Sequence, residues 1–137
     1  MAERKLIVYE QPKSPTAEAY RTLRTNLQFA KVDGELKTIM FTSAGPVEGK
    51  STTIANTAVA IAQSGKKVIL VDCDLRKPVQ HKIFNTKNQG ITNILVENLN
   101  VTDYIQDTSI ENLRLVTSGP IPPNPSELLG SGKMTAL

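Results

Sequence analysis

Apolar positions recur along this chain with two different periods, and the alternation between them is the first clue to its architecture. Residues 16–30 contain no glycine or proline, and Ala19, Leu23, Leu27 and Ala30 fall three or four apart, which predicts a helix with one buried stripe. Ser14 is placed to cap that helix and Pro15 to open it, because proline's missing N–H does no harm at a first helical position. Thr38-Ile39-Met40-Phe41-Thr42 is rich in strand formers and predicts a strand. Helical spacing returns over residues 51–63, where Ile54, Ala55, Ala58, Val59, Ile61 and Ala62 form a broad apolar face. The alanines allow close packing against a sheet, and Gly65 ends the helix. Val68-Ile69-Leu70-Val71 is a continuous apolar run, the pattern of a strand covered on both faces.

The second half is less regular. Short helices are predicted at residues 79–84, 91–97 and 102–106, and a third strand at 113–117, stopped by Gly119-Pro120. A proline-rich loop covers residues 121–125, and Pro125 opens a last helix. Residues 1–14 read as an extended lead-in. Strands alternating with helices predict an α/β fold with a parallel sheet flanked by helices and right-handed crossovers. The 137 residues fit one domain: lead-in 1–14, first helix 15–31, and an α/β core over 37–137. Three strands are few for such a sheet, and the chain stops soon after a predicted helix start. The expectation is therefore an incomplete domain.

Composition narrows the classes. Apolar residues at 39% are enough for a core, and charged residues at 21% argue against disorder. A net charge of +3, without a basic block, gives no ground for nucleic-acid binding. The single cysteine, Cys73, excludes an intrachain disulfide and suits a reducing compartment. No apolar run approaches the roughly 20 residues that span a bilayer, and residues 1–10 lack the apolar stretch of a signal peptide. The chain reads as cytoplasmic.

One segment carries specific chemistry: Ala44-Gly45-Pro46-Val47-Glu48-Gly49-Lys50-Ser51-Thr52. It matches the phosphate-loop pattern Gly-x4-Gly-Lys-[Ser/Thr], with Ala44 at the first position. Such a P-loop leaves a strand and turns successive main-chain N–H groups toward phosphate oxygens. The helix that follows presents its positive end to the same anion. Lys50 is suited to the outer phosphates of ATP, and the Ser51 hydroxyl to magnesium. The fold class expected is thus a P-loop NTPase-type sheet. A second segment is Asp72-Cys73-Asp74, at the C-terminal end of an apolar strand, where ligands bind in open parallel sheets. If strand geometry persists, both carboxylates turn the same way, able to hold a metal ion and accept a proton. Cys73 and His81 read as packing detail.

Three stretches together resemble the bacterial tyrosine kinases of capsule and exopolysaccharide synthesis. They are the loop through Thr53, the run Val71-Asp72-Cys73-Asp74-Leu75-Arg76-Lys77-Pro78, and Glu18-x2-Arg21-x2-Arg24 in the first helix; the loop of residues 118–125 also fits. The resemblance implies an ATP-dependent, autophosphorylating protein-tyrosine kinase using ATP and Mg2+. Lys50 would neutralise the transferring phosphate and Asp72 accept the tyrosine hydroxyl proton. Ser51 and Asp74 would serve the metal. Glu18, Arg21 and Arg24 would join subunits into a ring-like homo-oligomer. It also implies protein tyrosine substrates and a membrane-anchored activator of the polysaccharide co-polymerase type, which would hold the protein at the inner face of the plasma membrane. The family's downstream metal-binding strand and tyrosine-rich tail are not matched: the tyrosines here are Tyr9, Tyr20 and Tyr104, scattered. Two alternatives remain. A partition or cell-division-type ATPase carries a lysine five residues before the phosphate lysine, where this chain has Gly45. A non-catalytic fragment would act only through the first helix.

Overall fold

A one-turn helix, α1 (Ile7–Glu10), occupies part of the stretch expected to be extended. Its cause is burial: the Val8 side chain is fully buried, and its N–H donates to Asn56 Oδ1 at 3.1 Å. The computed structural model describes residues 6–30, 34–42 and 49–137. These fall in two units, residues 1–68 and 69–137.

In the first unit, Ser14 acts as its position predicts. Its Oγ accepts the Ala17 N–H at 3.1 Å, and Pro15 opens α2 (Pro15–Gln28). The buried stripe differs from the one expected. Ala17 is buried, and Tyr20, Leu23, Arg24 and Leu27 are half-buried, whereas Ala19 and Ala30 are exposed. The stripe is thus turned toward positions occupied by longer side chains, among them Tyr20 and Arg24. α3 (Lys50–Gln63) is buried around most of its middle, from Ala55 to Ala60. Gly65, at φ 94, follows its end. The segment 38–42 forms no strand, and Met40 in it is 87% exposed. Strand propensity counts only where a neighbouring strand supplies a ladder, and the described residues supply none there.

The second unit contains a three-stranded sheet in the order β1 (Val68–Val71), β3 (Leu113–Val116), β2 (Gln106–Asp107). β2 is antiparallel to β3, with Gln106 opposite Leu115 and Asp107 opposite Arg114. The parallel part of the sheet is β1 beside β3, and the fold is α/β. β1 is not covered on both faces: Leu70 is buried, but Ile69 and Val71 are 47% and 39% exposed. The connection between β1 and β3 holds α4 (Gln80–Ile83), α5 (Ile91–Glu97) and a 3-10 turn at Val101–Tyr104, which leads into β2 where a helix was expected. α6 (Pro125–Leu129) and α7 (Gly132–Ala136) follow, the latter capped by Ser131 Oγ. Leu75, Ile91, Ile94, Leu95 and Val116 form the core, with Leu128 and Met134 against it. No described helix is long and apolar enough to cross a membrane.

The loop after β3 is tied to the start of α5. Ile91 N–H donates to the Thr117 carbonyl at 2.9 Å, and both the N–H and the hydroxyl of Thr92 donate to the Ser118 carbonyl at 2.8 Å. Asn88 pairs with Gly119 reciprocally, its Oδ1 accepting the Gly119 N–H at 2.9 Å and its Nδ2 donating to the Gly119 carbonyl at 3.0 Å. Gly90 lies so close that a Cβ there would run into the Thr117 main chain. Gly90→Ala is therefore expected to destabilise the protein by on the order of 1–3 kcal/mol. A lowered urea midpoint at unchanged slope is the check; an unaltered midpoint would show that the backbone yields without cost.

Candidate functional site

Lys50 is the first residue of α3, and Gly49 before it adopts φ 72, ψ 12, the left-handed conformation that glycine enters without a Cβ penalty. The Thr53 N–H closes the first helical bond on the Gly49 carbonyl at 2.9 Å. That geometry directs the first-turn amides of α3 out of its N-terminal end, where the helix dipole is positive. Lys50, Ser51 and Thr52 are all half-buried in that turn. Ala44, Gly45, Pro46, Val47 and Glu48 lie outside the described residues.

The acidic segment belongs to the second unit. Strand geometry ends at Val71, so the alternation expected for residues 72–74 does not apply. Instead the two carboxylates have different surroundings. Asp72 is buried, and both of its oxygens serve the main chain. Oδ1 accepts the Asp74 N–H at 3.0 Å, and Oδ2 accepts those of Val79 and Gln80, each at 3.1 Å. One side chain thereby folds the loop of residues 72–80. Asp74 is half-buried, and its Oδ1 accepts the N–H groups of Arg76 and Lys77 at 3.3 and 3.0 Å. Arg76 reaches across to Ser126 Oγ at 2.9 Å.

Cys73 is exposed as a residue, yet burial around its thiol, followed by the Asp72 carboxylate, raises its pKa. A raised pKa leaves little thiolate, so Cys73 lacks the character of a nucleophile. Burial also lowers the pKa of His81, as does Lys82, while Asp72 opposes them.

The helix motif divides as well. Arg21 Nη2 and Glu18 Oε2 form an ion pair at 2.9 Å, one turn apart. Arg24 turns inward, and its Nη1 donates to the Ala60 carbonyl at 2.7 Å. Ala60 lies in the last turn of α3, where carbonyls lack helical partners and a cation complements the dipole. Two features escaped the sequence reading: the Arg24 contact, and the buried Asn56. The signal for Asn56 was present, since it is a polar residue within the run from Ile54 to Ala62 that carries the apolar face of the helix.

The first turn of α3 has the chemistry for a magnesium–nucleotide pair: a positive helix end, the Lys50 ammonium and the Ser51 hydroxyl. Magnesium bound with phosphates keeps several waters and takes only one or two protein ligands. The Ser51 hydroxyl in that turn suits one such ligand.

Comparison with known proteins bears on the same segments. Residues 36–121 match the family model described as an AAA domain. The tyrosine-protein kinase YwqD of Bacillus subtilis (strain 168) is 50% identical over 136 residues, covering 98% of this chain and 57% of that protein. Among solved structures, the chimerical protein CapA2B2 is 50% identical with a TM-score of 0.88, covering 96% of this chain and 58% of that one. The kinase domain of the Escherichia coli tyrosine kinase ETK is 34% identical with a TM-score of 0.89, covering 99% and 54% respectively. The chain thus spans little more than half the length of these proteins.

Asp72→Asn preserves shape but replaces an acceptor oxygen with a donor NH2 facing main-chain N–H groups. A loss of about 1–3 kcal/mol in stability is expected, together with faster amide exchange at Val79 and Gln80. Unchanged exchange at those amides would show that the loop does not depend on this carboxylate.

Proposed function

Because the chain belongs to the AAA-domain family and its relatives are bacterial tyrosine kinases, we propose that it is part of an ATP-dependent, autophosphorylating protein-tyrosine kinase regulating capsular or extracellular polysaccharide synthesis. The observation that carries this reading is the left-handed Gly49, which delivers Lys50 and Ser51 into the first turn of a 14-residue helix. ATP and magnesium, when bound, supply the transferable phosphoryl group and a divalent counter-charge. All else is the work of the chain's own side chains and amides.

Lys50 places an ammonium against the outer phosphates, and the dipole of α3 adds to it. Ala44 to Thr52 are the proposed nucleotide-binding segment, by their match to the phosphate-loop pattern. Ser51 and Asp74 would serve as ligands to magnesium, which would supply a divalent charge beside the phosphates. Asp72 receives the proton of the attacking tyrosine hydroxyl; a phenol with a free pKa of about 10 is a weak nucleophile at neutral pH until that proton leaves. The three amide bonds to Asp72 support this role by holding its carboxylate in one orientation. Glu18, Arg21 and Arg24 contribute to subunit pairing in a ring-like homo-oligomer. A membrane-anchored activator of the co-polymerase type brings the kinase to the inner face of the membrane. Its substrates are protein tyrosines.

Lys50→Met in the full-length protein is expected to lower phosphotyrosine formation from labelled ATP by about 100-fold or more. Unchanged turnover would remove Lys50 from the chemistry, and ATP hydrolysis without phosphotyrosine would favour a partition-type ATPase. For assembly, Arg21→Ala combined with Arg24→Ala should reduce the particle size measured by light scattering. Identical scattering from the wild type and the double variant would leave the motif without a role between subunits.

A further inference from the structure

Asn56 is fully buried in the middle of α3, among Ala55, Ala58 and Val59. A buried carboxamide without partners costs about 1–3 kcal/mol, so an alanine or leucine would serve packing there more simply. Both ends of this one are engaged. Its Oδ1 accepts the Val8 N–H from α1 at 3.1 Å, across 48 residues of chain, and its Nδ2 donates to the Thr52 carbonyl at 3.0 Å. Thr52 directly follows Ser51 in the first turn of α3. The neighbouring Thr57, also buried, donates its hydroxyl to the Thr53 carbonyl at 2.7 Å. Two successive buried side chains therefore bond back onto the turn that opens the helix. Back-bonding of this kind alters the tilt of the carbonyls it engages and bends helices.

α1 has only one turn, too short to persist by itself, and its place depends on the buried Val8 side chain and on this bond. We propose that Asn56 is a positioning residue that ties α1 to the first turn of α3, so that the N-terminal helix sets the geometry of the phosphate-binding turn. The inference rests on the nucleotide role given above to Lys50 and Ser51. Asn56 touches neither phosphate nor metal in this account; it acts through Thr52.

The test is a double-mutant cycle in the full-length protein, using Val8→Ala to loosen α1 and Asn56→Ala to remove the tie. Two readouts are followed: amide exchange at Val8 and Thr53, and the Kd for Mg-ATP. Each single variant is expected to speed Thr53 exchange and to weaken ATP by roughly 3- to 10-fold. The combination should be no worse than the weaker-binding single variant, because both act through one link. Asn56→Asp guards against misfolding. It keeps the acceptor for Val8 but cannot donate to Thr52, so Val8 should stay protected while Thr53 exchange quickens. Effects that multiply in the double variant, or a loosened Val8 with Thr53 exchange unmoved, would overturn the proposal. Failure of the wild type to bind ATP would instead sink the kinase reading, and the exchange data would still decide the link.

Discussion

Burying a polar side chain costs free energy unless hydrogen bonds replace the water it gives up, and the segments of interest in this chain are organised around that constraint. Asp72, Asn56, Thr92 and Ser118 are all buried, and the side chain of each is hydrogen-bonded to main-chain groups. Asp72 collects three N–H groups, one from the loop at Asp74 and two from the start of α4 at Val79 and Gln80. Thr92 and Asn88 hold the turn after β3 against α5. An apolar residue at Asp72 would remove the acceptor of three main-chain N–H groups. The fold therefore uses buried polar chemistry both at the ends of its elements, as at Asp72 and Thr92, and within α3 at Asn56.

That arrangement has a consequence for function. Phosphoryl transfer demands little covalent chemistry of a protein; it demands placement of charge. Loops are the natural site for such groups but are the least rigid parts of a fold. The bonds from Asp72 to residues 74, 79 and 80 offset that weakness, giving the loop that carries Asp74 one shape before any ligand arrives.

Local signals in the sequence translated well into local structure. Ser14, Pro15 and Gly65 mark the helix ends they were expected to mark, and the helix over 91–97 runs from Ile91 to Glu97. Gly49-Lys50-Ser51 opens a helix as the phosphate-loop pattern requires. Signals that depend on distant partners did not translate. Thr38 to Thr42 has strand formers but no ladder. The run from Val68 to Val71 looks covered on both faces, yet coverage is a property of neighbouring elements, and two of its side chains stay exposed. α1 exists because Val8 meets Asn56, a contact no window of sequence contains. Asp72 and Asp74 were expected to behave as a matched pair by strand periodicity. Chain direction after Val71 follows the hydrogen bonds of Asp72 instead, so the two acids differ in burial.

α3 joins these observations because it is held at two points along its length, its middle and its last turn. Its first turn carries Lys50 and Ser51, its middle carries Asn56, and its last turn receives Arg24 from α2. The two ends are electrically opposite. A helix dipole favours an anion at the first turn and a cation at the last. Arg24 supplies the cation, within the same run of residues that carries the Glu18–Arg21 ion pair. A helix anchored at its C-terminal end and tied along its side cannot slide along its axis without breaking a bond to a buried group. Its N-terminal turn is then a fixed point, which is what a site recognising a polyphosphate through main-chain amides requires. Sequence separation hides this economy: residues 8, 24 and 56 share no motif, but they act on the same helix.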